Sequence, residues 1–193
     1  SGKIQADPIM EHAARIILGI DPGTKIMGLG VIDVSGNKLV LKDMGVLDIR
    51  KETDVYIKLK TIFDTTLTLI DRFMPDELAI EAPFYGKNVQ SMLKLGRAQG
   101  TAIAAALSRD IPVFEYAPRK IKLSITGVGQ ASKEQVASML EQLVGFKDTT
   151  KSLDATDGLA VAVCHYYQAI PAQKKSSAKS WEEFIRKNPG RIG

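Results

Sequence analysis

The spacing of hydrophobic residues changes along the chain, and it predicts three strands followed by alternating helices and strands. Three apolar runs of strand length come first, and turns at Pro22-Gly23 and Ser35-Gly36-Asn37 separate them. They predict an antiparallel meander over residues 15–21, 25–34 and 38–49. From residue 54 to residue 73 the apolar positions recur every three or four residues, which indicates a helix that ends before Pro75.

The remainder of the body alternates short apolar runs with helical spacing, which is typical of strand–helix–strand units. Such a unit places its two strands parallel in one sheet. We therefore predict an α/β fold with a five-stranded mixed sheet, antiparallel in its first three strands and then parallel, flanked by helices. In chain order the further elements are a strand over 78–81, a helix over 89–107 capped by Asn88, a strand over 112–116, and helices over 118–125, 132–143 (with Ser132 and Gln135 as a capping box) and 154–169.

Length and composition favour one domain without a membrane segment. The 193 residues, 45% of them hydrophobic, are enough for one core. We assign residues 15–170 to this domain, residues 1–14 to a flexible leader or tag, and residues 171–193 to a basic tail. No apolar run approaches the roughly 18 residues of a membrane span. The single cysteine, Cys164, excludes an internal disulfide framework, favours the cytoplasm and is predicted to be a small core residue.

The positive charge is unevenly distributed. The net charge is +4, and residues 171–193 alone account for it with six Lys or Arg and two Glu. In the neutral remainder, residues 85–133 contain eight basic side chains against two acidic ones. Such an excess points to a polyanionic partner, although a solvated face has the same composition. The basic residues are Lys87, Lys94, Arg97, Arg109, Arg119, Lys120, Lys122 and Lys133.

Four carboxylates lie where a predicted strand ends or a helix starts. Asp21 ends the first strand and Glu81 ends the fourth, and a break that contains proline follows each. If these strands are parallel neighbours, both acids lie at the edge where open α/β sheets bind ligands. Asp154 and Asp157 lie three residues apart on one face of the last helix. The simpler structural interpretations are that Asp21 caps a turn and that Asp154 caps the helix.

A divalent metal is the natural partner for such a set. Four acids without a compensating cluster repel one another, and all-oxygen ligation favours Mg²⁺ or Mn²⁺ over zinc. Two such ions activate a water and stabilise the leaving oxygen of a phosphodiester displacement. Histidine does not compete for this role. His165 lies about 16 Å along the helix from Asp154, at 1.5 Å per residue, and is predicted to be an ordinary core or surface residue.

The helix over 89–107 is unusually rich in small residues. Gly96 and Gly100 lie four positions apart, and a helical glycine costs about 1 kcal/mol relative to alanine. Close approach of another backbone is the expected reason. That backbone belongs either to the protein's own sheet or to a second copy of the chain, and the sequence leaves both open.

Six motifs, in order and at normal spacing between about Arg15 and Tyr167, carry a family resemblance. They are Ile-Leu-Gly-Ile-Asp-Pro-Gly-Thr at 17–24, Ala-Ile-Glu at 79–81, Phe84 with Lys87-Asn88, Leu-Lys-Leu-Gly-Arg-Ala-Gln-Gly at 93–100, Pro-Val-Phe-Glu-Tyr-Ala at 112–117 and Asp-Ala-Thr-Asp-Gly-Leu-Ala at 154–160. Together they resemble the RuvC family, the bacterial Holliday-junction resolvases of the retroviral-integrase and RNase H superfamily.

The resemblance implies an RNase H-like fold and an endonuclease that resolves four-way DNA junctions in recombination and repair. Paired symmetric nicks would leave 5′-phosphate and 3′-hydroxyl ends. It also implies two Mg²⁺ ions per active site, with Mn²⁺ as a substitute. The implied ligands are Asp21, Glu81, Asp154 and Asp157, although some family members carry His at the position of Asp154.

The resemblance further implies DNA contacts and partners. Phe84 matches the family's junction-stacking aromatic, and Lys122 and Lys133 match its basic residues near the scissile phosphate. We add Lys87 and Arg119 as DNA-binding candidates. The family is homodimeric through the helix that matches residues 89–107 and works beside the RuvA–RuvB branch-migration complex, with no membrane partner. The expected dimer contacts are Gly96, Gly100, Ile103 and Ala104.

Three alternatives remain open at this level. Gly-Ile-Asp-Pro-Gly-Thr at 19–24 also resembles the phosphate-binding turn of actin-like sugar and acetate kinases, but 193 residues leave no second domain to close over a nucleotide. A related RNase H-like nuclease acting on RNA would have the same acids. A non-catalytic junction-binding protein would have the same fold, and the presence of all four acids argues against it.

Overall fold

The sheet and its helices follow the predicted order. The computed structural model describes residues 14–36, 38–83, 88–146 and 153–169. The predicted bounds hold to within one residue. The elements are β1 Arg15–Asp21, β2 Ile26–Ser35, β3 Lys38–Asp48, α1 Val55–Phe73, β4 Glu77–Glu81, α2 Val89–Leu107, β5 Val113–Tyr116, α3 Pro118–Thr126, α4 Lys133–Val144 and α5 Leu153–Ala169.

The sheet brings the ends of β1 and β4 together. Its strand order is β3-β2-β1-β4-β5. The β1/β2 and β2/β3 pairs are antiparallel, and the β1/β4 and β4/β5 pairs are parallel, which confirms the predicted mixed sheet. In the β1/β4 register Ile20 lies opposite Ile80. One step further along each strand stand Asp21 and Glu81, so the two acids end neighbouring strands at the same edge.

Side-chain alternation assigns both acids to one face of the sheet. Leu18 and Ile20 of β1 belong to a core shared with α1 and α2, whereas Ile17 belongs to a second core shared with α4 and α5. Since successive side chains in a strand point to opposite faces, Asp21 lies on the α5 face with Ile17. The same alternation in β4 places Glu81 on that face with Ala79.

Glycines allow α5 to lie directly on β1 and β2. A Cβ atom at Gly19 would stand 2.3 Å from the carbonyl oxygen of Gly158, and one at Gly158 would stand 2.4 Å from the backbone nitrogen of Leu29. At Gly28 a Cβ would stand 2.3 Å from the carbonyl oxygen of Asp154. We call Gly19, Gly28, Gly30 and Gly158 the glycine seam. It brings the first turn of α5 against the end of β1.

Helix ends follow the capping chemistry of the sequence. The Asn88 side chain accepts from the backbone of Ser91 at the start of α2, and Ser132 and Gln135 form the predicted capping box of α4. The helix-cap interpretation of Asp154 is wrong, because α5 already includes Leu153 and Asp154 lies in its first turn.

Among the described residues, no helix has both the length and the apolar character of a membrane span.

Some predictions fall outside the described residues. They concern residues 1–13 of the leader, the tail from residue 171, and the candidate DNA contacts Phe84 and Lys87.

Candidate active site

Asp21 and Glu81 are partly buried acids at the end of two parallel strands. Burial, together with the negative charge of Asp157, raises the pKa of Asp21 to about 7. Burial and the charge of Asp21 raise the pKa of Glu81 to about 8. Each carboxylate is therefore in a low-dielectric environment and is repelled by the charges of the other acids. Both effects favour the neutral carboxyl unless a cation is bound nearby.

The first turn of α5 adds two more carboxylates to this edge. Burial raises the pKa of Asp157, and the ammonium of Lys133 opposes that effect. Lys133 Nζ donates to Asp157 Oδ2 at 2.5 Å and to Asp154 Oδ1 at 3.2 Å. Burial disfavours the charged form of Lys133, but its bonds to the two aspartates outweigh burial and raise its pKa. The structure thus brings all four predicted acids into one electrostatic cluster, with Lys133 paired to two of them.

The other predicted DNA-binding cations differ in position. Lys122 is half-buried, and its charge lowers the pKa values of Glu81 and Asp157 against the stronger effect of burial, so Lys122 lies beside the acids. Arg119 is exposed and lies along Gly129, where a Cβ would stand 2.9 Å from Arg119 Cγ. Lys122 and Lys133, which are expected near the scissile phosphate, therefore lie beside the acids, whereas no contact joins Arg119 to them within the described residues.

Gln99 holds the end of β4 and was not predicted as a site residue. Its side chain is 6% exposed, and its Nε2 donates to the backbone carbonyl of Glu81 at 3.3 Å and to Glu115 Oε2 at 2.8 Å. The anchor fixes the backbone from which the Glu81 carboxylate projects. A signal for Gln99 exists in the sequence, because it is the one polar residue among the small residues on the buried face of α2, beside Ala98 and Ala102.

A buried polar chain fixes the far end of α5. His165 is 2% exposed, its Nδ1 lies 2.7 Å from the hydroxyl of Tyr116, and its Nε2 lies 3.0 Å from Glu77 Oε2. Arg15 Nη1 donates to the same Glu77 oxygen at 3.2 Å. Burial lowers the pKa of His165 despite the neighbouring carboxylate, so the neutral ring accepts from Tyr116 and donates to Glu77. His165 is a core residue, one of the two predicted alternatives.

The donor set fits a hard divalent cation, although the side chains do not encircle one point. Within the described ranges, no three His, Cys, Asp or Glu side chains are close enough together to hold an ion as they stand. The available donors are carboxylate oxygens, and burial raises the pKa of Asp21, Glu81 and Asp157. The ammonium groups of Lys133 and Lys122 compensate only part of four negative charges. All-oxygen donors with a deficit of positive charge are typical of Mg²⁺ or Mn²⁺ sites.

The glycines of α2 do not pack on the protein's own sheet. A Cβ at Gly96 or Gly100 would meet no atom within 4 Å. The sheet contact of α2 is instead made by Ala98, Ala102 and Ala106. The own-sheet explanation therefore holds for these alanines and is wrong for Gly96 and Gly100.

Comparison with known proteins gives one consistent family. The family model described as Crossover junction endodeoxyribonuclease RuvC matches residues 17–165. A relative of that name from Cytophaga hutchinsonii is 57% identical over 178 residues, which cover 92% of this chain and 88% of the relative. Another, from Porphyromonas gingivalis, is 54% identical over 188 residues, which cover 95% of this chain and all of the relative.

Solved structures agree with this match. The structure of T. thermophilus RuvC in complex with Holliday junction substrate superposes with a TM-score of 0.75 at 31% identity, covering 80% of this chain and 94% of that one. The yeast mitochondrial Holliday junction resolvase Ydc2 superposes with a TM-score of 0.59 at 15% identity, covering 83% and 82%, which supports the fold alone. The fold is RNase H-like, as predicted.

Proposed function

Because this chain belongs to the RuvC family of crossover junction endodeoxyribonucleases, we propose that it resolves four-way DNA junctions with Asp21, Glu81, Asp154 and Asp157 as its catalytic acids. Two strands of like polarity are nicked symmetrically, which leaves 5′-phosphate and 3′-hydroxyl ends and serves recombination and repair. The observation that supports this most strongly is the pairing of Asp21 and Glu81 at neighbouring parallel strand ends, on the face that carries Asp157.

A divalent metal completes the site in this proposal. Asp21, Glu81 and the Asp154/Asp157 pair would hold it, with Mg²⁺ as the natural ion, two ions per site and Mn²⁺ as a substitute. When bound, the metal supplies charge for an attacking water and for the leaving oxygen of the phosphodiester. The raised pKa values of Asp21 and Glu81 support this assignment, because a bound cation stabilises the charged carboxylates against the burial and mutual repulsion that raise these pKa values.

The chain's own cations make the acidic edge accessible to DNA. Four carboxylates alone would repel a phosphate. Lys133 and Lys122 place two positive charges beside Asp157 and Glu81, where they offset that repulsion and add salt-dependent affinity. Phe84 and Lys87 follow Glu81 by three and six residues, and we assign Phe84 to stacking on a base that is exposed at the junction. Arg119 and Lys87 are assigned to the DNA backbone.

A homodimer supplies the second active site in this proposal. On α2, Val89, Leu93, Gly96, Gly100, Ile103 and Leu107 repeat with alternating spacings of four and three residues, which is the seam of a helix pair. Val89, Leu93 and Leu107 are 66%, 55% and 57% exposed, and Gly96 and Gly100 leave open space. We call these six residues the α2 stripe. A twofold pair across it, with Ala104 at its flank, would present two sites for two symmetric nicks.

Partners and boundaries follow from the same family membership. We propose that the nuclease domain comprises residues 15–170, which is supported by the match over 17–165 and by elements that run from Arg15 to Ala169. The protein would act in the cytoplasm beside the RuvA–RuvB branch-migration complex.

A substrate panel tests the proposed function. The protein is incubated with a synthetic four-way junction, a linear duplex of the same sequence and an RNA–DNA hybrid, each with Mg²⁺ or with EDTA. We expect paired symmetric nicks on the junction alone, and only with Mg²⁺. Cleavage of the hybrid in place of the junction would establish the RNA-directed alternative. Junction binding without nicks at any Mg²⁺ or Mn²⁺ concentration would establish the non-catalytic one.

A further inference from the structure

A basic cavity lies on the other side of the strand ends from the acids. It has a volume of about 140 Å³ and opens between the β1–β2 turn, the start of α1 and the middle of α2. Its floor is apolar and includes Ile49, Ile62 and Ala98. Three cations line it, namely Lys58 of α1 and Lys94 and Arg97 of α2. The proposed catalytic site uses none of them.

Residues that line the cavity are adjacent in sequence to Asp21 and to Gln99, which holds Glu81. Gly23 lines the cavity and follows Asp21 by two residues, which is at most about 7 Å at roughly 3.3 Å per extended residue. On α2, Ala98 lines the cavity, while the next residue, Gln99, holds the backbone carbonyl of Glu81. Since phosphates in one DNA strand recur every 3.4 Å along the helix axis, a single strand can reach both places.

In the part of the chain that the structure describes, the three cations of the cavity have no carboxylate partner, whereas cations close to them in sequence do. Lys60 of α1 pairs with Asp64, and Arg109 just after α2 pairs with Asp71. Within the described residues, no ion pair involves Lys58, Lys94 or Arg97. Lys58 Nζ only approaches the carbonyl oxygen of Thr24, at 3.5 Å.

In the described ranges, the nearby acid Asp54 forms no ion pair with any of the three cations. Its carboxylate accepts from the backbone nitrogens of Tyr56 and Ile57 and so serves the start of α1. Three like charges against an apolar floor focus a positive potential, because the low-dielectric wall screens them less than water does. Such a cavity has the chemistry of a phosphate site.

We propose that this cavity binds a backbone phosphate of the junction strand, distinct from the phosphate that is cleaved. This rests on the proposed function, since it takes the DNA junction as the polyanion. The half-buried Lys58 contacts the phosphate from α1, and the exposed Arg97 and Lys94 contact it from α2. The bound phosphate fixes how far the strand extends past the β1–β2 turn and so helps to set which phosphate reaches Asp21.

Matched substitutions test the cavity. Junction binding is measured by fluorescence anisotropy in EDTA between 50 and 200 mM salt for wild type, Lys58→Gln and Arg97→Gln. The controls are Lys60→Gln and Arg109→Gln, which remove paired cations from the same parts of the chain. Each cavity variant should bind about threefold or more weakly and lower the slope of log K against log salt by about 1, whereas the controls keep the wild-type slope.

Each outcome has a defined meaning. Unchanged slopes in both cavity variants, with a wild type that binds and nicks the junction, overturn the cavity proposal and leave the proposed function in place. A wild type that neither binds nor nicks the junction overturns both. Sedimentation of each variant separates DNA contact from dimer effects, because Arg97 neighbours the α2 stripe. If Arg97→Gln alters self-association, the result for Lys58→Gln on α1 decides.

Discussion

Two groups of glycines in this protein have opposite surroundings. In the glycine seam, added Cβ atoms at Gly19, Gly28 and Gly158 would stand 2.3–2.4 Å from backbone atoms of the facing element. On α2, a Cβ at Gly96 or Gly100 would meet nothing within 4 Å. The first group marks a completed contact inside the molecule, and the second marks an open surface.

The two groups of glycines have different functions: the glycine seam forms the acidic site, and the glycines of α2 leave a surface open for a partner. The seam brings α5 so close to β1 and β2 that Asp154 and Asp157 stand beside Asp21, and it thereby builds the acidic site within one chain. The α2 stripe keeps Val89, Leu93, Gly100 and Leu107 exposed, and of its six residues only Ile103 packs against the monomer's core. Helical glycines are costly, so their retention on an open face favours a partner that packs there.

The largest effect is expected in the seam. Gly158→Ala would place a Cβ within 2.4–2.7 Å of three backbone atoms of Gly28 and Leu29, which cannot rotate away. We expect the free energy of unfolding to fall by about 3 kcal/mol in urea denaturation. Gly100→Ala is the matched control and should stabilise the dilute monomer by up to about 1 kcal/mol through helix propensity. A Gly158→Ala protein as stable as wild type would contradict the close approach.

The stability of the folded protein should depend on pH, because the glycine seam places the acids close together. The pKa of Asp21 is raised from 3.8 to about 7, so the folded protein retains a proton that the unfolded chain has lost. Stability contributed by this group is therefore present below about pH 4 and lost as pH rises to about 7. In EDTA, Asp21→Asn should become more stable than wild type by about 1–3 kcal/mol across that window.

Thermal melts of both proteins between pH 4 and pH 8 measure this difference. Mg²⁺ at pH 8 should raise the wild-type melting temperature and leave Asp21→Asn less affected, because the ion binds the folded carboxylates. A stability difference that does not vary with pH would show that Asp21 titrates normally.

Because Gly96 and Gly100 face open space, a large side chain placed there should weaken self-association. Gly100→Leu should weaken the dimer at least tenfold, about 1.4 kcal/mol, because the side chain fills the space that a second α2 would occupy. Sedimentation velocity over a concentration series measures it. Ser138→Leu adds the same side chain to the exposed face of α4 and should leave the dimer intact. Equal behaviour of the two variants would remove α2 from the interface.

The smallest effect is expected at Lys133. Lys133→Ala should weaken junction binding by about 0.5–1 kcal/mol and lower the salt slope by about 1, since one half-exposed cation is lost. Lys60→Ala removes a cation that pairs with Asp64 away from the site and should change neither quantity. An unchanged salt dependence of junction binding for Lys133→Ala would mean that Lys133 binds Asp154 and Asp157 but does not contact DNA.

Much of the fold was predictable because its signals are local. The apolar spacing of α1, the Asn88 cap and the Ser132/Gln135 capping box are each set by residues a few positions apart, and each element appears where predicted. The convergence of Asp21 and Glu81 was also predictable, because strand–helix–strand units are parallel and both acids end their strands.

The remaining features depend on contacts between distant residues. A glycine in a strand signals close approach, but the sequence does not say that Gly28 meets Asp154 more than a hundred positions later. Likewise, Lys133 was expected at phosphate, and its pairing with Asp154 and Asp157 depends on how α4 packs on α5. The link from His165 to Glu77 and Tyr116 joins three elements and has no local signal at all.

The assignment of Asp21 as the central catalytic acid has one direct test. Asp21→Asn and wild type are compared on the same four-way junction, with binding measured in EDTA and nicking measured after Mg²⁺ is added. The amide has nearly the size of the carboxylate but lacks its charge, so junction affinity should be retained while paired nicking is abolished. Nicking by Asp21→Asn at the wild-type rate would contradict the proposed site.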